Sequence, residues 1–271
     1  VGAGLAGTGE VVVRSGGSLS IGNLPSSGDL NGAVYIGGKF SNTGGSGVGT
    51  LTIDGGTVAV GGSGREASSY NAKAIFLNPW GGVTGTSGIT TKNSGILKTA
   101  RGIANPDNNS ANLTLDGGTL QATAAVTGLI TDAGNFTVSL AAGGGTIDTQ
   151  GFNATITETI TGAGNLTKLG SGKLTIIGTH PWTGHTLIND GTLELNSRPD
   201  LAINEVGGYD STTAAGSGNR FEINNGSTLL ISGNRIDFNG ATFAFDNNGG
   251  GTIDNASTNF GGVAQIEGIP A

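Results

Sequence analysis

Apolar residues recur at every second position along residues 160–195, the stretch with the clearest pattern in the chain. The positions that keep this period are Leu166, Lys168, Gly170, Gly172, Leu174, Ile176 and Gly178. A period of two is typical of a strand with one buried face. We expect at least half of residues 160–195 to lie in strands, none in a helix, and the following side chains to be buried: Leu166, Leu174, Ile176, Leu193 and Leu195.

The same unit of strand, glycine turn and strand recurs along the chain. It appears at 50–60 (TLTIDGGTVAV), 113–120 (LTLDGGTL), 187–195 (LINDGTLEL) and 223–231 (INNGSTLLI). The hexapeptide GGGTID occurs twice, at 143–148 and 249–254. Repetition at this scale is typical of a solenoid. We therefore predict an all-β fold in one continuous, elongated domain over residues 1–271.

Two stretches interrupt the repetition. Residues 61–110 contain the turn signals Pro79–Gly82 and Asn105–Asn109, and residues 196–219 lose the alternation. We predict that both leave the solenoid as loop excursions.

Composition narrows the function classes. The chain has 54 glycines in 271 residues, 35% hydrophobic and 11% charged residues, a net charge of −7 and no cysteine. The missing thiols exclude disulfides and thiolate metal sites. The acidic balance and the scattered basic residues argue against nucleic-acid binding. No run of 18 apolar residues occurs, so this segment is not expected to span a membrane as a helix.

Residues 160–195 resemble the passenger-associated transport repeat of bacterial autotransporter passenger domains. The matching positions are Leu166, Lys168, Gly170, Gly172, Leu174, Gly178, Thr183, Gly184, Thr186, Gly191, Thr192 and Leu193. His180 and Trp182 stand where the family has Asn and Tyr. The resemblance implies a single right-handed parallel β-helix displayed outside the cell, and it implies no particular activity.

Acidic residues offer two candidate sites. Asp54, Asp116 and Asp190 precede glycines and are either turn residues or an acidic ladder for calcium or saccharide; Asp-Gly is a pair that tight turns favour. The GGGTID copies do not meet the calcium-binding nonapeptide pattern. Carbohydrate-active β-helix enzymes need clustered carboxylates. The candidates by proximity in sequence are Asp148, Glu158, Asp190 and Glu194, but their spacing forms no recognisable catalytic set.

The histidines, the tryptophans and the asparagines of Asn-x-Ser/Thr triplets are the remaining candidates for functional residues. His180 and His185 are the two histidines and are either turn residues or a metal or base site. Trp80 and Trp182 are either sugar-stacking platforms or packing rings, and the position of Trp182 in the repeat favours packing. Asn-x-Ser/Thr triplets are glycosylation acceptors in a eukaryotic secretory chain, and a sequence dense in Asn and Thr also forms them by chance. They begin at Asn108, Asn112, Asn135, Asn153, Asn165, Asn225 and Asn255. We expect no catalytic, cofactor or metal residues.

These observations predict a structural or adhesive protein, extracellular or on the bacterial cell surface, and not an enzyme. The alternative is a polysaccharide lyase or glycoside hydrolase on the same fold. Neither end resembles an amphipathic helical cap, so the expected partners are further coils of the same protein or a second copy, stacked end to end in a filament. Surface glycans or other cells are further candidate partners.

Overall fold

Short strands account for most of the described backbone. The computed structural model describes residues 7–22, 30–31, 34–39, 46–61, 63–64, 73–79, 85–106, 109–132, 135–178, 180–196, 220–224, 226–231, 244–248 and 251–255. The strands are β1 (Thr8–Arg14), β2 (Ser18–Ile21), β3 (Leu30–Asn31), β4 (Val34–Ile36), β5 (Gly38–Lys39), β6 (Ser46–Asp54), β7 (Thr57–Val60), β8 (Ser63–Gly64), β9 (Ile75–Leu77), β10 (Ser87–Lys92), β11 (Ile96–Thr99), β12 (Ile103–Asn105), β13 (Ala111–Asp116), β14 (Gly118–Ala122), β15 (Val126–Asp132), β16 (Phe136–Leu140), β17 (Gly145–Asp148), β18 (Ala154–Ile156), β19 (Ile160–Thr161), β20 (Leu166–Leu169), β21 (Lys173–Ile177), β22 (Thr186–Ile188), β23 (Thr192–Asn196), β24 (Arg220–Asn224), β25 (Thr228–Ile231), β26 (Ala244–Asn248) and β27 (Thr252–Asn255). These described residues contain no helix, and therefore none that could cross a membrane.

Three parallel sheets run along the axis of the molecule. Sheet 1 has the order β1-β6-β10-β13-β16-β19, sheet 2 the order β2-β7-β11-β14-β17-β20-β22-β24-β26, and sheet 3 the order β4-β9-β12-β15-β18-β21-β23-β25-β27. From β9 to β21, successive strands belong to sheets 3, 1 and 2 in turn, and from β22 to β27 they alternate between sheets 2 and 3; each strand pairs with the strand one coil away. Two short antiparallel pairs, β3 with β8 and β5 with β6, lie outside this scheme. The architecture is a parallel β-helix, as the sequence predicts.

The core is a set of inward-facing rows that follow the axis. In sheet 1, register pairing aligns Leu51, Ile89, Leu113, Val138 and Ile160 across five strands. These five side chains are nearly or fully buried. Burying a side chain of this size contributes about 1.5–3 kcal/mol, so each coil gains stability mainly from its contact with the coils on either side.

The corner between sheets 1 and 2 depends on glycine. Gly55, Gly117 and Gly144 have φ angles of +74°, +83° and +72°, values that L side chains rarely adopt. The next residue in each turn is also glycine, and a Cβ placed on Gly118 would lie 2.4 Å from the side chain of Thr91. The glycine-rich turns in the sequence are therefore sharp corners between two sheets.

The predicted excursion over 61–110 is wrong for residues 85–106. Residues 85–106 form a complete coil, because β10, β11 and β12 pair with neighbouring coils on both sides in sheets 1, 2 and 3. Asn105 and Pro106, read as loop signals, lie at the end of a strand and are buried. The predicted excursion over 196–219 lies almost entirely outside the described residues. That a single β-helix continues without a break over residues 1–271 stays a prediction.

Candidate functional site

The stretch 160–195 folds as the alternation predicts. Strands β19 to β23 make up half of it, and this window contains no helix among its described residues. The five side chains expected inside are buried, with exposures of 0–1%. This prediction is confirmed.

An unexpected feature of this stretch is a buried ammonium group. Lys168 lies on the inward row of β20, and its side chain is fully buried. Its Nζ donates to the carbonyl oxygens of Leu169 at 2.9 Å, Gly170 at 2.5 Å and Asp190 at 3.0 Å. We call these three oxygens the carbonyl cage. They come from two successive coils, so one cation connects the coils at the corner between sheets 2 and 3.

A threonine of the preceding coil reaches the same corner. The hydroxyl of Thr149 lies 3.1 Å from the Leu169 carbonyl and 3.2 Å from that of Gly172, within hydrogen-bond distance of both. Asp148 is nearby and accepts hydrogen bonds from the backbone and side chain of Gln150. Burial lowers the pKa of Lys168 to about 8, partly offset by the charges of Asp190 and Asp148. Three coils therefore meet around one amine.

The turn after β21 inserts two rings into the core. Trp182 is fully buried, and its indole N–H donates to the Thr186 hydroxyl at 3.2 Å. Its backbone forms a parallel bridge with Gly162, directly after β19. Trp182 thus continues sheet 1 where the coil has no regular strand. The packing interpretation of this residue is confirmed; Trp80 lies outside the described residues.

His180 is the second buried ring, with an exposure of 1%. Its Nδ1 accepts the backbone N–H of Ile160 at 3.1 Å. Burial lowers the pKa of His180 to about 4; the Ile177 carbonyl near the ring opposes this shift but makes no regular hydrogen bond with Nε2. The imidazole is therefore neutral at physiological pH and acts as a hydrogen-bond acceptor inside the core.

Residues 166–195, which include Lys168, His180 and Trp182, match the family of the Passenger-associated-transport-repeat. The chain carries a passenger-associated transport repeat. No curated protein and no solved structure matches the chain. The repeat occupies one part of the β-helix and implies a secreted or surface-exposed protein of the autotransporter passenger type.

The four candidate carboxylates form no single group: Asp148 and Asp190 both lie near Lys168, whereas Glu158 and Glu194 lie on or just after strands of sheet 3. Asp148 belongs to sheet 2 and accepts hydrogen bonds from Gln121 and Gln150. Glu194 belongs to sheet 3, lies 2.6 Å from Lys173 Nζ and accepts the Thr175 hydroxyl. Glu158 lies just after β18 of sheet 3. Asp190 lies just after β22, at the corner that holds Lys168. Within the described ranges, no three acidic or histidine side chains form a group that could hold a metal ion.

The Asp-Gly pairs are turns, and they occupy different corners. Asp54 and Asp116 end strands of sheet 1, whereas Asp190 follows β22 in sheet 2. Asp54 accepts a hydrogen bond from Asn93 at 2.7 Å and lies 3.6 Å from both Arg14 and Lys92. The Asn93 hydrogen bond lowers the pKa of Asp54, and the two cations act in the same direction. Within the described residues, Asp54, Asp116 and Asp190 therefore do not stack into the acidic ladder that was one of the two interpretations of these pairs.

Two asparagines of the Asn-x-Ser/Thr triplets accept hydrogen bonds from the backbone of the next coil. Asn153 Oδ1 accepts the N–H of Lys173, and Asn165 Oδ1 accepts that of His185. Each bond spans 20 residues of sequence. These amides therefore have a structural role between coils. The triplets at Asn108 and Asn225 lie outside the described residues.

The sequence places Lys168 on the alternating face of its strand but indicates no role for it. The signal was present, because a lysine at a core position requires acceptors for its ammonium group. The partners were not visible, because Asp190 comes 22 residues later in the chain.

Proposed function

We propose that this chain is a structural and adhesive β-helix of a bacterial surface or secreted passenger protein. The passenger-associated transport repeat at 166–195 is the observation that supports this proposal most strongly. A stack of parallel coils provides length and long outer faces without a second domain. Such a scaffold presents side chains at a distance from the cell.

The first coil supports the proposed end-to-end partner. Val11, Leu19 and Ile21 pack against the core but are only partly buried. They line a cavity of about 420 Å³ together with residues of β4 and β6. The strands β1, β2 and β4 are each the first strand of their sheet. A further coil, from a second copy or from the same protein, fits this apolar mouth because it would pair with these edges.

Two measurements test the proposal. Cells displaying the chain should bind to surfaces or to other cells more strongly than cells displaying an unrelated β-helix of similar length and charge. Equal binding would contradict the adhesive role, and sugar released from a polysaccharide panel would favour the carbohydrate-active alternative. Electron microscopy of the purified chain should show end-to-end assemblies; separated monomers at high concentration would overturn self-stacking.

A further inference from the structure

The outer face of sheet 1 carries an ordered array of hydroxyl groups. One outward position is occupied in five successive strands by Thr52, Thr90, Thr114, Ser139 and Thr161, which we call the hydroxyl row. A parallel row two residues earlier in each strand holds Thr50, Gly88, Asn112 and Thr137. A Cβ placed on Gly88 would collide with Asn112 Oδ1, so the Asn112 amide covers the gap at that glycine.

The array is regular in two directions. The pairs that join β6, β10, β13, β16 and β19 keep one register with no shift. Neighbouring strands lie about 4.8 Å apart, and alternate residues along a strand lie about 6.7 Å apart. Threonine is stiff at χ1, which limits the directions available to its hydroxyl and methyl groups. The result is a two-dimensional lattice of preorganised hydroxyls.

The side chains of this lattice are open to a partner. All members of the hydroxyl row are half-buried, and Thr50 and Thr137 are exposed. Thr161 donates weakly to the Val138 carbonyl at 3.4 Å. For the other hydroxyls of the row, the described part of the chain provides no side-chain hydrogen bond. Each can therefore donate one hydrogen bond and accept others.

The chemistry of the face restricts the partner. From β6 to β19, the two rows contain no charged and no aromatic side chain. Charge begins only in the next row, with Arg14, Asp54 and Lys92 at the corner to sheet 2. A neutral face does not attract a charged surface, and a face without rings offers a sugar no stacking platform. Its complement is an uncharged lattice of hydrogen-bonding groups.

We propose that the hydroxyl lattice of sheet 1 binds ice. Hexagonal ice repeats its oxygen positions at two distances close to those of the lattice, and every surface water can donate or accept a hydrogen bond. The threonine methyl groups between the hydroxyls restrict neighbouring water and favour an ordered layer. This activity is separate from the adhesive function proposed above and does not depend on it.

Threonine 114 is the best site for a test, because it lies at the centre of the hydroxyl row and points outward. Thr114→Tyr places a ring above the lattice without entering the core. Thr146→Tyr is the matched control. Thr146 is a half-buried outward threonine of sheet 2; its row also holds Thr119 and Thr167, but the neighbouring outward row carries charge at Lys98 and Asp148. Far-UV circular dichroism and the melting temperature establish that both variants are folded.

The assays are thermal hysteresis and partitioning of the folded chain into a growing ice front. We expect the wild type and Thr146→Tyr to enter ice equally, and Thr114→Tyr to lose both activities several-fold. A folded wild type excluded from ice would overturn the proposal, as would an equal loss in the two variants. Binding of the wild type to cellulose or chitin, lost in Thr114→Tyr and without binding to ice, would assign the face to a polysaccharide and likewise overturn it.

Discussion

Acidification should destabilise the β-helix through one buried side chain, His180. The folded state holds the imidazole neutral with a pKa of about 4, against 6.5 for the free side chain. Below pH 6.5 the unfolded chain takes up a proton that the folded chain refuses, so stability is lost as the pH falls from 6.5 towards 4. At about 1.4 kcal/mol for each pKa unit, the loss is about 3 kcal/mol.

The variant His180→Asn isolates this effect. The amide oxygen of asparagine can accept the hydrogen bond from the Ile160 N–H that His180 Nδ1 accepts. Asparagine is also the residue that the family pattern has at position 180. Asparagine does not titrate, so the variant lacks the pH dependence that His180 adds. Whatever the difference between the two proteins at neutral pH, it should shift in favour of the variant by about 3 kcal/mol as the pH falls from 6.5 towards 4.

Urea unfolding followed by far-UV circular dichroism measures this difference over a series of pH values. Protonation of carboxylates affects both proteins equally and cancels in the comparison. His185→Asn is the control, because His185 is only half-buried. Parallel pH profiles for the wild type and His180→Asn would refute the reasoning.

Two further changes test the core. Lys168→Met leaves the carbonyl cage without its donor and should lower the free energy of unfolding by about 1–3 kcal/mol. Because folding lowers the pKa of Lys168 from 10.5 to about 8, the wild type should gain stability over the variant as the pH rises from 8 to 10.5. Melting curves that do not diverge over this pH range would contradict the prediction. Leu174→Asp buries an unpaired carboxylate and should lower stability by several kcal/mol, whereas Thr146→Asp on an outer face should change the melting temperature little; equal shifts would mean that the faces of β21 are reversed.

The sequence predicts the strands well where one face alternates strictly. Leu166, Leu174 and Leu193 fall inside because a period of two leaves a strand only one choice of buried face. The coil at 85–106 was missed for physical reasons. Its inward positions include the polar residues Ser87, Thr91 and Thr99, so the alternation is weak, and pairing with coils on both sides overrides it.

The candidate site was less visible because its parts come from separate coils. A turn signal such as Asp190-Gly191 can be read locally, and it is a turn. The contact between Lys168 and the Asp190 carbonyl arises only when one coil has stacked on another. Sequence spacing alone does not fix that distance, since coil length varies along the chain.

The carbonyl cage also constrains the order in which the chain can fold. Two of its oxygens belong to the coil of Lys168, and the third arrives with the next coil. A fragment that ends before Asp190 would hold a buried ammonium group with one acceptor missing, a costly arrangement. The coil of Lys168 is thus completed by the residues that follow it, and in a chain that emerges from one end we expect it to reach its full stability only after the next coil has docked.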